Sequence, residues 1–291
     1  MTPRHILLLA PIVPLALFGA ACSTESIAQG TSPATTVATT VPVPTAAPTT
    51  AAPTTTAAPT TTLQPIITLP SNVEEVGPFP GEIKAVGSSS GPDTQVVQMR
   101  LEQLGFWTGG NDGKYGFATT QAVMAFQKYL GLKATGKVDP DTAAYLKALP
   151  ERARASANVG TLVEVDKTKQ LLFLVVDGKT LWTMNTSTGS GIPYEAVNKK
   201  DPTKIEKGDA ITPNGMWRVN RERPDGWWDG DLGKIYRPKY FKGGVAIHGM
   251  TSVPNYPASH GCVRLSTMAM DFIWDSGLVP MGATIWVHGN T

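Results

Sequence analysis

Residues 171–188, LLFLVVDGKTLWTMNTST, decide the fold of the carboxyl-terminal half of this chain. The first six residues, 171–176, form an unbroken apolar run, which is typical of a strand. Asp177-Gly178 follows, and an Asp-Gly pair between two apolar stretches is a strong signal for a two-residue hairpin turn. The sequence therefore predicts a β-hairpin in which residues 181–188 form the partner strand.

Further strand signals surround this hairpin and extend the β pattern over the carboxyl-terminal half. They lie at residues 162–165, 215–219, 244–247 and 284–287. One helix is predicted between Thr267 and Ser276, with Ser266 or Thr267 as its N-cap. A mostly β segment with a single helix indicates a β-sandwich-like domain, which we place at residues 158–289.

The preceding residues, 93–150, have the pattern of a small all-α unit of three helices. Apolar side chains recur at helical spacing in two stripes, first Val97, Leu101 and Leu104, then Ala122, Val123, Phe126 and Leu130. Gly105 is expected to end the first helix, and Thr119 or Thr120 to cap the second. Asp139-Pro140 predicts the start of the third, because Asp is a good N-cap and Pro is tolerated at the first helical position.

The amino-terminal part of the chain has the composition of an export signal and a tether. Residues 1–21 combine a polar start, an apolar run and small residues before Cys22, as a cleaved signal does. Gly19-Ala20-Ala21-Cys22 resembles a lipobox, in which the cysteine is lipidated and becomes the new amino terminus. Residues 22–92, rich in Thr, Pro and Ala, are predicted to form a disordered tether. We therefore expect a protein on the outer face of the bacterial cytoplasmic membrane or in the cell wall, held to the membrane only by its lipid anchor.

Composition does not indicate a nucleic-acid partner, and it leaves Cys262 as an unpaired cysteine that needs an explanation. The chain has 291 residues with 25 Lys plus Arg against 23 Asp plus Glu, so nothing indicates a nucleic acid as partner. Its two cysteines are Cys22 and Cys262. If Cys22 is processed or lipidated, the folded part of an exported protein keeps one thiol, where the environment favours pairing. Cys262 is then either a small buried residue or a reactive one.

Two short stretches around Cys262 carry residue types suited to acyl transfer. They are Ile247-His248-Gly249 and Ala258-Ser259-His260-Gly261-Cys262-Val263-Arg264-Leu265. Acyl transfer from an amide needs a nucleophile, a base and hydrogen-bond donors for the oxyanion. A thiol is mostly protonated near pH 7, so an imidazole must accept its proton. His248 is expected on a different strand, whereas His260 would share one side of a strand with Cys262; Gly261 can present the Cys262 amide to an oxyanion.

A zinc site is the competing interpretation of these residues. His248, His260, Cys262 and His288 are four possible ligands, but their spacing is not that of a finger or a ribbon. The chain also lacks a Cys-x-x-Cys pair. We therefore expect no metal, and a purely structural role for these side chains is the remaining alternative.

Residues 93–150 resemble the three-helix type of peptidoglycan-binding module. The matching residues are Leu104-Gly105-Phe106, Asp112-Gly113-Lys114-Tyr115-Gly116, Thr119, Ala122-Val123, Phe126-Gln127 and Gly131-Leu132. The resemblance implies docking on the cell wall. Because several of these residues are turn and core positions, a bound strand would lie across the remaining surface.

The carboxyl-terminal domain resembles the L,D-transpeptidase family with its YkuD-type catalytic domain. The resemblance rests on Ser259-His260-Gly261-Cys262-Val263-Arg264 and, earlier in the chain, on Val165-Asp166 with Gln170-Leu171, Ser187-Thr188-Gly189 and Thr212-Pro213-Asn214-Gly215-Met216-Trp217. It implies that Cys262 is the nucleophile and His248 the base, oriented by the carbonyl group of Gly249. His260 would shape the oxyanion pocket.

The same resemblance implies which residues contact the substrate. Ser259 and Arg264 are candidates from the motif, and Arg264 would either hold a substrate carboxylate or amide or serve as a structural donor. An aromatic stretch resembles the family's lid over the cleft. It contains Trp227, Trp228, Tyr236 and Tyr240. Tyr236 and Tyr240 are therefore candidate substrate contacts, unless these aromatic residues simply pack together.

The implied reaction forms L,D-linked crosslinks in peptidoglycan. Cys262 would attack the carbonyl of the third residue of a donor tetrapeptide stem, and the terminal D-Ala would leave with a proton from His248. A side-chain amine of a second stem would then attack the thioester, so no cofactor is expected. An L,D-carboxypeptidase, in which water replaces the amine, and a catalytically silent wall-binding protein are the alternatives. The resemblance also implies that carbapenem-type β-lactams acylate Cys262.

Overall fold

The computed structural model describes residues 74–291. The predicted export signal, Cys22 and the first part of the predicted tether lie outside the described residues. Within 74–291, no helix is both long and apolar enough to span a bilayer.

Three helices come first in the described chain, as the sequence predicts. They are α1 (Pro92–Gln103), α2 (Phe117–Tyr129) and α3 (Pro140–Ala148). Helix α3 begins as expected, since the Asp139 carboxylate accepts a hydrogen bond from the Thr142 N–H at 2.8 Å. The expected threonine cap of α2 is wrong, because Gly116 is the N-cap and no side chain caps this helix. Thr119 and Thr120 lie inside the first turn, where their hydroxyls donate to main-chain carbonyls.

The last part of the predicted tether packs against these helices. The Val76 N–H donates to the Pro150 carbonyl at 2.7 Å, and the Phe79 N–H donates to the Lys147 carbonyl at 2.8 Å. Ile83 is buried in the helical core. The predicted end of the tether at residue 92 is therefore too late, because apolar residues that can join a core replace the Thr/Pro/Ala pattern before the first helix.

Strands and one further helix make up the rest of the described chain. In order they are β1 (Leu162–Asp166), β2 (Leu171–Val176), β3 (Lys179–Asn185), β4 (Tyr194–Val197), β5 (Ile205–Gly208), β6 (Gly215–Arg218), β7 (Arg221–Glu222), β8 (Trp227–Gly230), β9 (Gly233–Lys242), β10 (Val245–Met250), β11 (Val263–Ser266), α4 (Thr267–Asp275) and β12 (Thr284–His288). The Ser266 hydroxyl caps α4 by accepting a hydrogen bond from the Ala269 N–H at 3.1 Å. Strands β4, β5, β7, β8, β9 and β11 are additions to the sequence-based prediction.

The strands form two main sheets and a separate hairpin. The first sheet has the order β3-β2-β1-β12-β6, and the second has the order β11-β10-β9-β7 with β8 also paired to β9. Strands β4 and β5 form a two-stranded sheet of their own. Side chains from both main sheets and from α4 share one apolar core that includes Leu172, Ile247, Leu265 and Ile273. This is the mainly β, sandwich-like domain that the sequence predicts.

Strand β2 is buried on both faces and joins the helical part to the sandwich. Leu172 and Leu174 belong to the core between the two sheets. Leu171 and Phe173 belong instead to the helical core, together with Phe126 of α2. Successive side chains of a strand point to opposite faces, so a strand covered on both sides requires an unbroken apolar run.

The predicted Asp-Gly turn joins β2 to β3. Asp177 and Gly178 have φ angles of 49° and 76°, as a two-residue turn of this kind requires. A Cβ on Gly178 would collide with the Asn158 carbonyl oxygen, so glycine is also needed for space.

Helix α2 also contacts main-chain segments that precede the cysteine motif. The Gln121 side chain donates to the Val253 carbonyl at 3.2 Å, and the Lys128 ammonium donates to the carbonyls of Gln170 and Thr186 at 3.2 and 3.1 Å. Burial lowers the pKa of Lys128 to about 7. The helical part therefore helps to fix segments that border the candidate site.

Candidate active site

Cys262 lies in the loop before β11 and lines a cleft of about 610 Å³. The Ser259 hydroxyl braces this loop, because it donates to the Cys262 carbonyl at 2.6 Å and accepts from the Gly261 N–H at 3.0 Å. The Thr212 hydroxyl donates to the Gly261 carbonyl at 2.7 Å. Gly261 has a φ of 128°, and an added Cβ would lie 3.0 Å from the Ile211 carbonyl oxygen. The loop that carries the thiol therefore has a fixed shape that depends on glycine.

His248 lies on β10 and lines the same cleft, although its side chain is only 3% exposed. Its Nδ1 is 3.1 Å from the carbonyl oxygen of Gly249. A carbonyl only accepts hydrogen bonds, so Nδ1 carries the proton and Nε2 of the neutral ring is left as a base. Burial lowers the pKa of His248 to about 4. The hydrogen bond to Gly249 opposes this shift, and the positive charge of Arg264 adds to it. The ring is therefore neutral at ordinary pH.

The thiol of Cys262 is also favoured in its neutral form. It donates to the Gly244 carbonyl at 3.8 Å and is partly exposed to the cleft. The protein atoms packed around it raise its pKa, while a main-chain contact with Ala246 and the charge of Arg264 act in the opposite direction. The resting pair is therefore a neutral thiol and a neutral imidazole, so proton transfer must accompany any attack by the sulfur.

His260 does not share one side of a strand with Cys262, contrary to the sequence-based expectation. Residues 260–262 lie outside the strands, and β11 begins only at Val263. His260 lines the cleft, where the Tyr194 ring packs edge-on against the imidazole with 4.5 Å between ring centroids. Burial and the charge of Arg264 lower the pKa of His260.

Gly249 and Arg264 lie on the two paired strands of the site, β10 and β11. An added Cβ on Gly249 would lie 2.9 Å from the Tyr236 ring and 3.1 Å from the Thr267 Cα, so the close packing of β9 and α4 requires glycine. Arg264 is opposite His248 in the parallel register of β10 and β11. Its side chain lines the cleft, and its buried Nε has no hydrogen-bond partner within residues 74–291.

The predicted substrate contacts divide into residues that line the cleft and residues that do not. Tyr240 and Trp228 line it. Tyr236 is engaged elsewhere, since its hydroxyl donates to the Asp271 carboxylate at 2.9 Å and its ring contacts Trp227 with 5.3 Å between centroids. Ser259 also lines the cleft, but its hydroxyl is hydrogen-bonded within its own loop.

Several cleft residues come from strands that the sequence does not predict. Tyr194 and Glu206 belong to the β4–β5 hairpin, while Arg221 and Arg223 lie in and just after β7. Short, half-exposed strands of this kind carry no apolar run. The only sequence signal near Tyr194 is its position beyond the Ser187-Thr188-Gly189 stretch.

Two hairpins meet over the cleft. The Lys199 N–H donates to the Asp231 carbonyl at 2.7 Å, and the Lys200 ammonium lies 3.3 Å from the Asp231 carboxylate. The same ammonium lies 5.6 Å from the centre of the Trp228 ring. These contacts join the β4–β5 hairpin to the tip of the β8–β9 hairpin.

The fourth residue of the zinc interpretation lies apart from the other three. His288 Nε2 is 3.0 Å from a Glu164 carboxylate oxygen, and the His288 ring stacks on Trp286 with 4.3 Å between centroids. In the part of the chain that the structure describes, no three His, Cys, Asp or Glu side chains are arranged to hold a metal ion.

Comparisons with known proteins match both parts of the chain. Residues 160–287 match the family model described as YkuD, L,D-transpeptidase catalytic domain, and residues 90–146 match that of a peptidoglycan binding domain. The crystal structure of the L,D-transpeptidase from Xylanimonas cellulosilytica DSM 15894 is 41% identical, with a TM-score of 0.62, and the match covers 72% of this chain and 100% of that chain.

Two curated relatives share only a short stretch with this chain. The N-acetylmuramoyl-L-alanine amidase CwlM of Mycobacterium tuberculosis is 42% identical over 62 residues, which are 21% of this chain. The spore cortex-lytic enzyme of Bacillus cereus is 36% identical over 73 residues, which are 25% of this chain. The matches span 15% and 28% of the lengths of these two relatives.

Proposed function

The chain belongs to the L,D-transpeptidase family, and we propose that it crosslinks peptidoglycan stem peptides through a thioester on Cys262. One observation carries the proposal. His248 has its Nδ1 hydrogen-bonded to Gly249 and its pKa lowered by burial, so a neutral base lines the same cleft as the only cysteine of the described chain.

The first half of the proposed reaction forms the acyl-enzyme. The Cys262 sulfur attacks the carbonyl carbon of the third residue of a donor tetrapeptide stem, at the L-centre of a diamino acid, and its proton passes to His248 Nε2. The tetrahedral intermediate then collapses. The C–N bond to the terminal D-Ala breaks, and the D-Ala amine leaves with the proton from His248.

The second half transfers the acyl group to an amine. A side-chain amine of another stem attacks the thioester carbonyl and gives up a proton to His248. The C–S bond breaks, and the sulfur takes back that proton, which restores the neutral pair. The net change is one amide exchanged for another, so the reaction needs no cofactor.

The negative oxygen of each tetrahedral intermediate needs hydrogen-bond donors. The Gly261 N–H already donates to the Ser259 hydroxyl, so we assign the main-chain N–H of Cys262 to the oxyanion. His260 shapes this pocket from the exposed side, where Tyr194 holds its ring. Ser259 acts by positioning the loop, and Arg264 acts beside the nucleophile, where its charge favours the thiolate.

The amino-terminal parts bring this chemistry to its substrate. We propose that the helical part binds peptidoglycan across the surface that its core leaves free, and that the enzyme works at the cell wall. Lipidation of Cys22 would hold it on the outer face of the cytoplasmic membrane, and residues 22–73 would supply the reach to wall strands.

Mass analysis of muropeptides after incubation of the purified protein with sacculi tests the proposed reaction. New L,D-linked dimers are the expected product. Tripeptide stems in their place would identify an L,D-carboxypeptidase, and unchanged sacculi would identify a wall-binding protein without activity.

Removal of the thiol tests the nucleophile. Cys262→Ala should abolish dimer formation, because residues 74–291 contain no other thiol. A carbapenem should add one adduct per chain to the wild type in intact-mass spectra and none to Cys262→Ala. Crosslinking by the variant, or an adduct that persists in it, would exclude Cys262 as the nucleophile.

A further inference from the structure

The cleft carries opposite charges on two different structural elements. Glu206 lies on the β4–β5 hairpin, where its carboxylate accepts a hydrogen bond from the neutral Asn198 amide at 2.7 Å. Arg221 and Arg223 lie in and after β7, and both line the cleft. The Arg221 guanidinium is 4.0 Å from the centre of the Tyr240 ring, and that of Arg223 is 4.7 Å from the centre of the Trp228 ring.

These three charges, like that of Arg264 beside the nucleophile, have no oppositely charged partner within residues 74–291, although Arg221 donates a hydrogen bond to the Gly243 carbonyl at 3.4 Å. Lys200 is paired with Asp231 at 3.3 Å, and Lys234 with Asp229 at 3.9 Å. Among the residues that the structure describes, Glu206, Arg221 and Arg223 form no ion pair. Glu206 and Arg223 are partly buried, whereas Arg221 is exposed at the rim. A charge that is partly removed from water without a partner is costly, so Glu206 and Arg223 favour a ligand of opposite charge, and Arg221 can add to the attraction.

The thiol lies close to both charged elements. Tyr194 shares its hairpin with Glu206 and packs on His260, while Tyr240 is the cross-strand partner of Arg221. Burial raises the pKa of both tyrosines, and the charge of a Cys262 thiolate raises each further. A peptide bound at Cys262 would therefore reach both sets of charges.

We propose that Arg221 and Arg223 bind the terminal carboxylate of the donor stem and that Glu206 binds the ammonium group of the acceptor stem. This assignment rests on the proposed function. The donor carries a carboxylate on the D-Ala residue that leaves, one residue from the carbonyl under attack. The acceptor arrives as an ammonium cation, which a carboxylate near the thioester would concentrate over water. The ammonium gives one proton to solvent to become the attacking amine, and its second proton passes to His248 during the attack. Glu206 is therefore the residue that favours crosslinking over hydrolysis.

Two readouts of one assay separate the two subsites. The full-length protein is incubated with a synthetic donor tetrapeptide and a synthetic amine acceptor. The donor kcat/KM for D-Ala release reports the steps through acylation, and the ratio of dimer to tripeptide reports the competition between amine and water. Thermal unfolding of each variant verifies that it is folded.

The arginines should affect the donor alone. In Arg221→Gln/Arg223→Gln, the donor kcat/KM should fall about tenfold or more, as loss of a charge-assisted contact predicts, while the dimer-to-tripeptide ratio stays constant. A donor whose terminal carboxylate is an amide should be used equally by the double variant and the wild type. The control is Arg218→Gln, since Arg218 is exposed, bonds to the Gly282 carbonyl and does not line the cleft.

The glutamate should affect the acceptor alone. In Glu206→Gln, the dimer-to-tripeptide ratio should fall about tenfold with donor kcat/KM unchanged. The matched control is Glu195→Gln, on the same hairpin but paired with Lys207 outside the cleft. A change in donor kcat/KM in place of the ratio would show that Glu206 binds the donor and would overturn the assignment. Active wild type with unaffected variants overturns the two subsites alone, whereas wild type that releases no D-Ala overturns the proposed function itself.

Discussion

Strand β2 and the hairpin formed by β8 and β9 are held in place in opposite ways. Phe173 of β2 is covered by the helical core, and Leu172 by the core between the sheets. Trp227 and Trp228 of β8 are instead 45% and 38% exposed. The tip of this hairpin is joined to its neighbour through polar contacts of Asp231.

The difference separates residues that stabilise the fold from residues that we propose to act on the substrate. Burial of apolar area contributes roughly 25 cal/mol per Å², so β2 contributes strongly to the folding free energy on both of its faces. Exposed ion pairs contribute about 0–1 kcal/mol each. Substitutions in β2 should therefore unfold the protein, whereas substitutions in the cleft should change rates in a folded protein.

The largest expected effect lies in the cleft and concerns a rate. His248→Ala should lower the rate of D-Ala release from a donor stem by roughly 10²–10⁴-fold, because it removes the proposed general base. His260→Ala should cost less, since in the proposed mechanism this exposed ring shapes the pocket and does not accept the thiol proton. Kinetics on the two variants decide the assignment, and it is wrong if His260 proves essential while His248 is dispensable.

The next effect concerns the stability of the doubly buried strand. Phe173→Ala should destabilise the protein by about 3–5 kcal/mol, because it opens a cavity at the seam between the helices and the sheet. Trp228→Ala is the counterpart in the exposed hairpin and should cost about 1 kcal/mol or less. Urea unfolding midpoints measure both, and similar losses in the two variants would contradict the contrast between these regions.

The acid limb of the pH–rate profile follows from the burial of His248. The base must be neutral to accept a proton, and its pKa is lowered to about 4. Acylation of Cys262 by a carbapenem should therefore stay near its neutral rate at about pH 5.5, where a histidine with the ordinary pKa of about 6.5 would cost about tenfold. A rate that halves near pH 6.5 would show that the working base is solvated.

The lowered pKa of His248 also makes the stability of the protein depend on pH. The unfolded chain binds the His248 proton more tightly than the folded chain does. The free energy of unfolding therefore decreases as pH falls from about 6.5 towards the folded pKa of about 4. Unfolding measured over that interval should show a stability that rises with pH, and His248→Ala should remove this contribution.

The part of the fold that the sequence predicts is the part with apolar patterns. Strand β2 and the turn at Asp177-Gly178 are predicted with their bounds, because burial on both faces and positive φ angles each leave a signature in residue type. Strand β9 lacks such a signature, since Gly233–Lys242 is rich in charges and contains Pro238. It is a strand because β10, β8 and β7 pair with it, which local sequence does not encode.

The candidate site is predictable where a motif names its residues and not where the backbone departs from regular geometry. Tyr236 and Tyr240 are four residues apart and would share one face of a regular strand. Arg237 between them has a φ of 45°, and the pairing of β9 with β10 is irregular, so only Tyr240 lines the cleft. The placement of His260 in a loop has a similar cause, because Gly261 breaks the extended backbone.

The smallest effect concerns the ion pair that joins the two cleft hairpins. Lys200 and Asp231 are 45% and 57% exposed, so water and salt screen their attraction. Asp231→Asn keeps the main-chain carbonyl that accepts from Lys199, and it should change the free energy of unfolding by about 1 kcal/mol or less. Asp229→Asn, which removes the partner of Lys234 in the same hairpin, is the matched control. Urea unfolding at low and high salt measures both. A loss of several kcal/mol in Asp231→Asn alone would mean that the contact between the β4–β5 and β8–β9 hairpins stabilises the whole fold. The proposed separation between residues for stability and residues for substrate use would then be wrong for these hairpins.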